Sequence, residues 1–137
     1  MQRAAIVGLG WWGQQILRHL RGSDVIRITQ AVGHREAHRS IADEHGIGFT
    51  TEFEQLLSDQ SIDLVILATP HALHSAQIAA AARAGKHVFC EKPIGLSVEE
   101  VRRSLDACRA AGVRVGVGHE RRFEPAIDEL RQLFEKG

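Results

Sequence analysis

Short apolar runs that alternate with longer segments of helical periodicity limit the folds open to this sequence more than any other feature. The clearest run is residues 62–68, because the consecutive apolar side chains at 64–67 suit a strand that is covered on both faces. The alternation of strand and helix predicts an α/β fold, with a doubly wound, open parallel sheet and helices on both of its faces. The predicted strands are 4–9, 25–33, 49–50, 62–68, 87–90 and 113–118, and the predicted helices are 12–21, 36–45, a short one around 53–57, 71–84, 97–111 and one that begins at Pro125.

The composition is that of one ordinary globular domain. The chain has 137 residues, of which 44% are hydrophobic, so a core can form without disulfide bonds. Its 17 basic side chains balance 17 acidic ones, which gives no reason to expect nucleic acid or an anionic membrane as a partner. No apolar run approaches the roughly 20 residues of a membrane-spanning helix, and no signal-peptide pattern precedes the first strand. Together with two cysteines, Cys90 and Cys108, that we expect in the core, these features predict a soluble cytoplasmic protein.

A glycine-rich turn follows the first predicted strand directly and opens the first predicted helix. Gly8 permits a tight turn, Gly10 lets a phosphate approach the backbone, and Gly13 lets the helix pack closely on the strand. The unpaired N–H groups at the start of the helix attract the negative phosphates. A turn that serves only packing is the alternative. The pattern predicts a dinucleotide site formed by Gly8, Leu9, Gly10, Trp11, Trp12 and Gly13.

The end of the second predicted strand bears on which dinucleotide is bound. An acidic side chain there would bind both ribose hydroxyls and select NAD, but the strand ends in Gly33, His34 and Arg35. Arg35 can pair with a 2′-phosphate, and His34 adds to that interaction when it is protonated. We therefore expect NADP(H) to be favoured over NAD(H). The alternative is that Arg35 only stacks on adenine or faces solvent.

Three further motifs accompany the glycine turn. The first runs from Ala68 to His74 (ATPHALH), the second is Glu91-Lys92-Pro93, and the third is residues 118–125 (GHERRFEP). In this order, and over essentially the whole chain, they closely resemble the N-terminal domain of the Gfo/Idh/MocA oxidoreductases. The resemblance implies a Rossmann domain over residues 1–137. It also implies an NAD(P)-dependent oxidoreductase that transfers a hydride between nicotinamide and a hydroxyl or ketone of a sugar, cyclitol or polyol.

The resemblance implies roles for individual residues as well. Lys92 would contact both the cofactor and the substrate hydroxyl, which makes it the catalytic candidate. His119 and Glu120 depart from the aromatic-Asn pair that is common at their positions. His71 stands where the family often has asparagine, and His74 matches a histidine near the nicotinamide. The cofactor contacts implied in this way are Ala68, Thr69, Pro70, His71, His74, Glu91, Lys92, Pro93, which would follow a cis peptide bond, and Arg122.

The chemistry of these residues agrees with that assignment. Ligands of a doubly wound sheet lie beyond the carboxyl ends of the strands, where all of these motifs fall. There a partly desolvated Lys92 ammonium can stabilise a developing alkoxide or shuttle a proton, while an ion pair with Glu91 is its alternative role. His71 and His74 stand on one helical turn, as a metal pair can, but without an evident third ligand we expect no metal.

The resemblance implies a second α/β domain that supplies most of the substrate pocket and the oligomer interface, and this domain is absent from residues 1–137. Two explanations stay open. The chain is the cofactor half of an oxidoreductase, or it is a standalone module that binds or senses NADP(H) without catalysis. The Glu91-Lys92-Pro93 motif favours the first, because a sensor has no need of Lys92; a methyltransferase would not be expected to carry it. We expect a small-molecule substrate and, through apolar surface that the second domain normally covers, dimers or aggregates.

Overall fold

A computed structural model describes residues 1–136 of the chain, in which six strands alternate with six helices. In residues 1–136, every helix is too short or too polar to cross a membrane. Two short 3-10 helices, Glu36–His38 and Glu120–Phe123, complete the structure. The strands are β1 (Gln2–Val7), β2 (Ile26–Val32), β3 (Gly48–Thr50), β4 (Leu64–Leu67), β5 (His87–Glu91) and β6 (Val115–Gly118). The helices are α1 (Trp11–His19), α2 (Arg39–Glu44), α3 (Phe53–Ser58), α4 (His71–Arg83), α5 (Val98–Ala111) and α6 (Pro125–Lys136).

All six strands are parallel, and their order in the sheet is β3-β2-β1-β4-β5-β6. The chain therefore builds outward from β1 in one direction and then, from β4 onward, in the other. This arrangement confirms the predicted doubly wound parallel sheet and makes the fold Rossmann-like. The reversal between β1 and β4 opens a crevice at the carboxyl ends of these strands, where ligands of such sheets bind.

The side chains of β1 alternate between two cores, one on each face of the sheet. Ala4 and Ile6 share a core with residues of α1 and α2, whereas Ala5 and Val7 share the other with residues of α3, α4 and α5. This explains why residues 4–7 of β1 and all of β4 have no polar face: both are covered on two sides. Cys90 and Cys108 belong to the second core, as expected, and burial, assisted by the Glu91 charge, raises the pKa of Cys90 to about 12.

The ends of the helices follow the sequence signals closely. At the start of α5, Ser97 Oγ accepts a hydrogen bond from Glu100 N at 3.2 Å, and Glu100 Oε2 accepts one from Leu96 N at 3.0 Å. Gly112 ends that helix in the left-handed region, with φ of +66°. The predicted helix 36–45 is present but irregular: its first turn, Glu36–His38, is a 3-10 turn that leads into α2, and His38, with ψ of −10°, marks the change.

Helix α6 is amphipathic, but it buries none of its residues in this chain. Its apolar side chains, among them Leu130 and Phe134, are exposed, and Phe134 retains 86% of its surface. Phe123, just before the helix, is exposed in the same way. The result is an apolar surface at this end of the molecule that other helices of the chain do not cover.

Candidate functional site

The turn between β1 and α1 lies at the carboxyl end of the central strand, and its glycines have distinct steric roles. Gly8 has φ of +97°, and a Cβ on it would lie 2.4 Å from the Ala68 carbonyl oxygen. A Cβ on Gly13 would lie 1.9 Å from the Gly8 carbonyl oxygen, so neither position accommodates a side chain. At Gly10 no atom lies within 4 Å of the Cβ position. The turn thus combines close packing with an open face above the first N–H groups of α1.

The three apolar residues within this turn have different environments. Leu9 is buried and its side chain packs in the core, so only its backbone is available to a ligand. Trp11 is 69% exposed, whereas Trp12 is half-buried, and the two ring centroids are 5.4 Å apart. The Nε1 atom of Trp12 is buried and has no hydrogen-bond partner. Because an unpaired buried N–H is costly, this indole suits a ligand that brings an acceptor.

A cleft of about 240 Å³ opens beside the turn at the same edge of the sheet. It joins the start of α1 to the ends of β4, β5 and β6, which are neighbours in space although they are distant in sequence. A larger groove, of about 360 Å³, lies at the amino ends of the strands and contains none of the predicted site residues. The cleft is lined by Trp12, Ala68, Thr69, His71, Glu91, Lys92 and Glu120.

The ammonium group of Lys92 faces the carboxylate of Glu120 and not that of Glu91, the alternative partner considered from the sequence. Its Nζ lies 3.8 Å from Glu120 Oε1, and the two side chains are 48% and 43% exposed. The Glu91 carboxylate instead lies against Gly118, where a Cβ would come within 2.6 Å of Glu91 Oε1. The alternative ion pair between Lys92 and Glu91 is therefore not formed. The peptide bond between Lys92 and Pro93 is cis, as the family resemblance implies.

His74 is part of the framework of this cleft. It is 0% exposed, its Nδ1 lies 2.7 Å from the Pro93 carbonyl oxygen, and its Nε2 lies 2.8 Å from the Thr69 carbonyl oxygen. A direct contact with nicotinamide does not fit this burial, because both ring nitrogens face backbone acceptors. His71, one turn earlier, is exposed and lines the cleft. Within residues 1–136, no three His, Cys, Asp or Glu side chains are grouped as metal ligands.

The remaining expected residues divide into those that reach the cleft and those that do not. Thr69 Oγ1 donates a 2.6 Å hydrogen bond to Gln77 Oε1, which fixes the threonine at the rim. Pro70 is exposed at the start of α4. Arg122 is exposed on the 3-10 helix after β6 and does not line the cleft. Glu120 does line it, and its position two residues after a predicted strand is the signal that would have identified it.

A basic group lies at the carboxyl end of β2, adjacent to the glycine turn. The two are adjacent because Gly8 N–H donates to the Val32 carbonyl at 2.9 Å. Arg35 Nε lies 2.9 Å from His34 Nε2, to which it donates, and both side chains are exposed. The nearest acidic side chain, Glu36, forms an ion pair with Arg39 instead. The β2 end therefore presents two bases to a ligand.

These features together fit a nicotinamide dinucleotide. The open face at Gly10 and the first N–H groups of α1 suit a pyrophosphate, and the unpaired Trp12 indole lies on the cleft side of that turn. The basic β2 end lies on one side of the turn and the cleft with Lys92 on the other, which matches a ligand that has two nucleoside ends.

Comparisons with known proteins identify relatives of this chain. It is 38% identical over 117 residues to 1,5-anhydro-D-fructose reductase of Ensifer adhaerens, covering 85% of the chain and 34% of the relative. It is 32% identical to scyllo-inositol 2-dehydrogenase (NAD(+)) of Bacillus subtilis, covering 98% of the chain and 40% of the relative. The structure matches that of biliverdin reductase from Synechocystis, in complex with biliverdin and NADP+, with a TM-score of 0.89 and 31% identity.

The match to the biliverdin reductase structure covers 98% of this chain and 43% of that one. The chain therefore spans less than half the length of each of these relatives. A family model described as an oxidoreductase family with an NAD-binding Rossmann fold matches residues 2–119. The chain belongs to this family, the Gfo/Idh/MocA oxidoreductases.

Proposed function

We propose that this chain binds NADP(H) as the cofactor-binding part of an oxidoreductase that acts on a hydroxyl or ketone of a sugar, cyclitol or polyol. One observation carries the proposal: the glycine turn and the cleft that contains Lys92 meet at the same edge of the sheet, on either side of the unpaired Trp12 indole. Two of the relatives are named for a reductase of an anhydro sugar and a dehydrogenase of a cyclitol, which supports this substrate class.

When bound, the nicotinamide supplies or accepts the hydride. The contribution of this chain is to orient the substrate oxygen and stabilise its charge. Lys92 suits this task because it lines the cleft and its ammonium group has three N–H donors for an oxygen ligand. The 3.8 Å separation from Glu120 exceeds a hydrogen-bond distance, so the carboxylate steadies the ammonium without occupying all of its donors.

The preference for NADP(H) is proposed from the β2 end. His34 and Arg35 lie where the adenosine ribose of a Rossmann cofactor is bound, and no carboxylate competes with a 2′-phosphate for Arg35 among the ion pairs of residues 1–136. A guanidinium binds phosphate through charge-assisted hydrogen bonds, which are about twice as strong as neutral ones.

A module that binds or senses NADP(H) without catalysis is the second candidate. The observation that favours it is the exposure of Lys92 and Glu120, each nearly half open to solvent. Catalysis of hydride transfer benefits from the exclusion of water, and residues 1–136 supply little cover over this pair.

A titration of the purified chain with NADPH and with NADH tests the proposal. Trp11 and Trp12 lie at the glycine turn, so we expect saturable quenching of their fluorescence, with tighter binding of NADPH. A panel of sugars, cyclitols and polyols with NADP+ then separates the two candidates, because only an oxidoreductase produces NADPH absorbance. Equal affinity for the two nucleotides would disprove the NADP(H) preference, and binding of neither would disprove the cofactor site.

A further inference from the structure

A third basic side chain, which the sequence did not single out, completes the group at the carboxyl end of β2. The His38 ring lies edge-on to the His34 ring, with centroids 5.0 Å apart. It rests on Gly33, where a Cβ would come within 2.7 Å of His38 Nδ1. Any side chain at Gly33 would therefore displace His38 from its position beside His34 and Arg35.

The two nitrogens of His38 are in different environments. Nδ1 is buried and has no hydrogen-bond partner, whereas Nε2 is not among the buried unpartnered atoms of residues 1–136 and remains open to solvent. Burial lowers the pKa of His38, and the charges of His34 and Arg35 lower it further. An anion bound next to this group would instead raise the pKa of His38, because it favours the charged form of the imidazole.

The other charged groups around His38 are already engaged. Glu36, two residues before it, pairs with Arg39. The Arg39 guanidinium in turn lies over the Phe49 ring, 4.9 Å from its centroid, and Phe49 is the neutral residue that β3 brings against Gly33. The Glu36 carboxylate, the one of these two groups that could neutralise a charged His38, is therefore engaged by Arg39.

We propose that His38 is a specificity-determining residue of the nucleotide site, which joins His34 and Arg35 in binding the 2′-phosphate of NADPH and takes up a proton when it does so. The inference rests on the proposed NADP(H)-binding function and adds a residue and a proton to it. NADH has no 2′-phosphate, so its binding involves no such uptake. The preference for NADPH over NADH consequently increases as the pH falls from about 8 toward the ordinary histidine pKa of about 6.5.

The direction of proton movement shows whether the group that exchanges a proton on binding belongs to the protein or to the ligand. The second pKa of a phosphate monoester is about 6, so a cationic site that binds the dianion releases the residual proton of the phosphate. A histidine that becomes charged on binding instead takes a proton from the buffer. Net uptake on NADPH binding therefore reports the side chains, because the phosphate by itself can only release a proton.

Calorimetric titrations at about pH 6.5, in two buffers of different ionisation enthalpy, measure this proton count for NADPH and for NADH. His38→Phe is the informative variant, because its ring can still rest on Gly33 but has no nitrogen to protonate. We expect wild-type protein to take up protons with NADPH only. In His38→Phe we expect at least half of that uptake to be lost and the ratio of NADPH to NADH affinity to fall about tenfold, with NADH affinity unchanged.

His19→Gln is the matched control, because His19 is an exposed histidine on the last turn of α1 and its removal should leave the uptake intact. If His38→Phe does not fold, His38→Gln serves the same purpose. Tight NADPH binding with no net proton uptake, or with uptake that His38→Phe leaves undiminished, overturns this inference alone. Binding of neither nucleotide by the wild-type chain overturns the proposed function and this inference together.

Discussion

The Nδ1 atom of His74 lies 2.7 Å from the carbonyl oxygen of Pro93, which follows it by 19 residues in the chain. The other ring nitrogen lies 2.8 Å from the Thr69 carbonyl oxygen, so one imidazole links the segments that follow β4 and β5. Lys92 precedes Pro93 directly, and Thr69 and Lys92 both line the cleft. The width of the cleft therefore depends on a buried side chain that is not in contact with it.

Replacement of His74 should affect stability and nucleotide binding in different ways. We expect His74→Ala to lower the free energy of unfolding by about 2–4 kcal/mol, because it leaves a cavity and removes the imidazole hydrogen bonding between the segments that follow β4 and β5. Urea denaturation measures this loss. Under folding conditions, affinity for NADPH should fall while affinity for 2′,5′-ADP, which lacks the nicotinamide half, should not. Equal losses for both ligands would indicate general disorder instead of a local change at the cleft.

Gly10 offers a substitution that removes ligand binding without harm to the fold. Its Cβ position is open and its φ of −66° is accessible to any residue, so Gly10→Asp should fold. Aspartate is also a favourable N-cap for α1, and we expect stability to stay within about 1 kcal/mol of wild type. Its carboxylate should repel the pyrophosphate and weaken both NADPH and NADH by at least about tenfold. Nucleotide titration and thermal denaturation check the two halves of this expectation.

The contrasting control is Gly13→Ala, whose Cβ would overlap the Gly8 carbonyl oxygen at 1.9 Å. This variant should lose stability as well as binding. If the affinity of Gly10→Asp for NADPH equalled that of the wild type, the pyrophosphate would have to lie elsewhere.

The thiol of Cys90 should resist alkylation in the native state. Burial raises its pKa to about 12, so almost no thiolate exists at neutral or mildly alkaline pH. Because the folded pKa is higher than the unfolded one, its contribution to stability is complete below the ordinary thiol pKa and is lost as the pH rises from about 9 toward 12. N-ethylmaleimide labelling at pH about 8, followed by mass spectrometry, should modify Cys90 only after denaturation. Rapid labelling of Cys90 in the folded chain would contradict the buried position of this thiol.

The exposed apolar face of α6 should make this chain associate with itself. Light scattering over a concentration series is expected to show dimers or larger species, because Leu130 and Phe134 add apolar surface that no other helix covers. The double variant Leu130→Glu with Phe134→Ser should shift the chain toward monomer without loss of the sheet, since α6 buries no residue. A wild-type chain that stays monomeric at high concentration would show that this face does not drive association.

The strands, the parallel sheet and the glycine turn could be predicted because each depends on local pattern. The run 64–67 could be recognised as a covered strand, and Ser97 with Glu100 as a helix start, from a few neighbouring residues. The family resemblance added the Lys92–Pro93 motif. Cofactor preference and the roles of individual site residues stay predictions until the titrations above are made.

The contacts that sequence did not reveal all depend on neighbours in space. Lys92 faces Glu120 because β5 and β6 are adjacent in the sheet, whereas chain proximity had pointed to Glu91. His38 reaches His34 because the segment before α2 tightens into a 3-10 turn, and helical periodicity does not report such a turn. Burial of both His74 nitrogens likewise follows from the packing of α4 against the loops that follow β4 and β5.

The direction of β1 also determines where the chain can be tagged without obstructing the site. Its first residue, Gln2, begins at the amino end of the sheet, and Met1 is exposed there, whereas the glycine turn and the cleft lie at the carboxyl end. A tag attached before Met1 therefore leaves the protein on the side away from the ligand. A chain anchored to a sensor surface through such a tag would present its cleft to the flowing solution, so nucleotide arrival and departure could be timed without obstruction by the support.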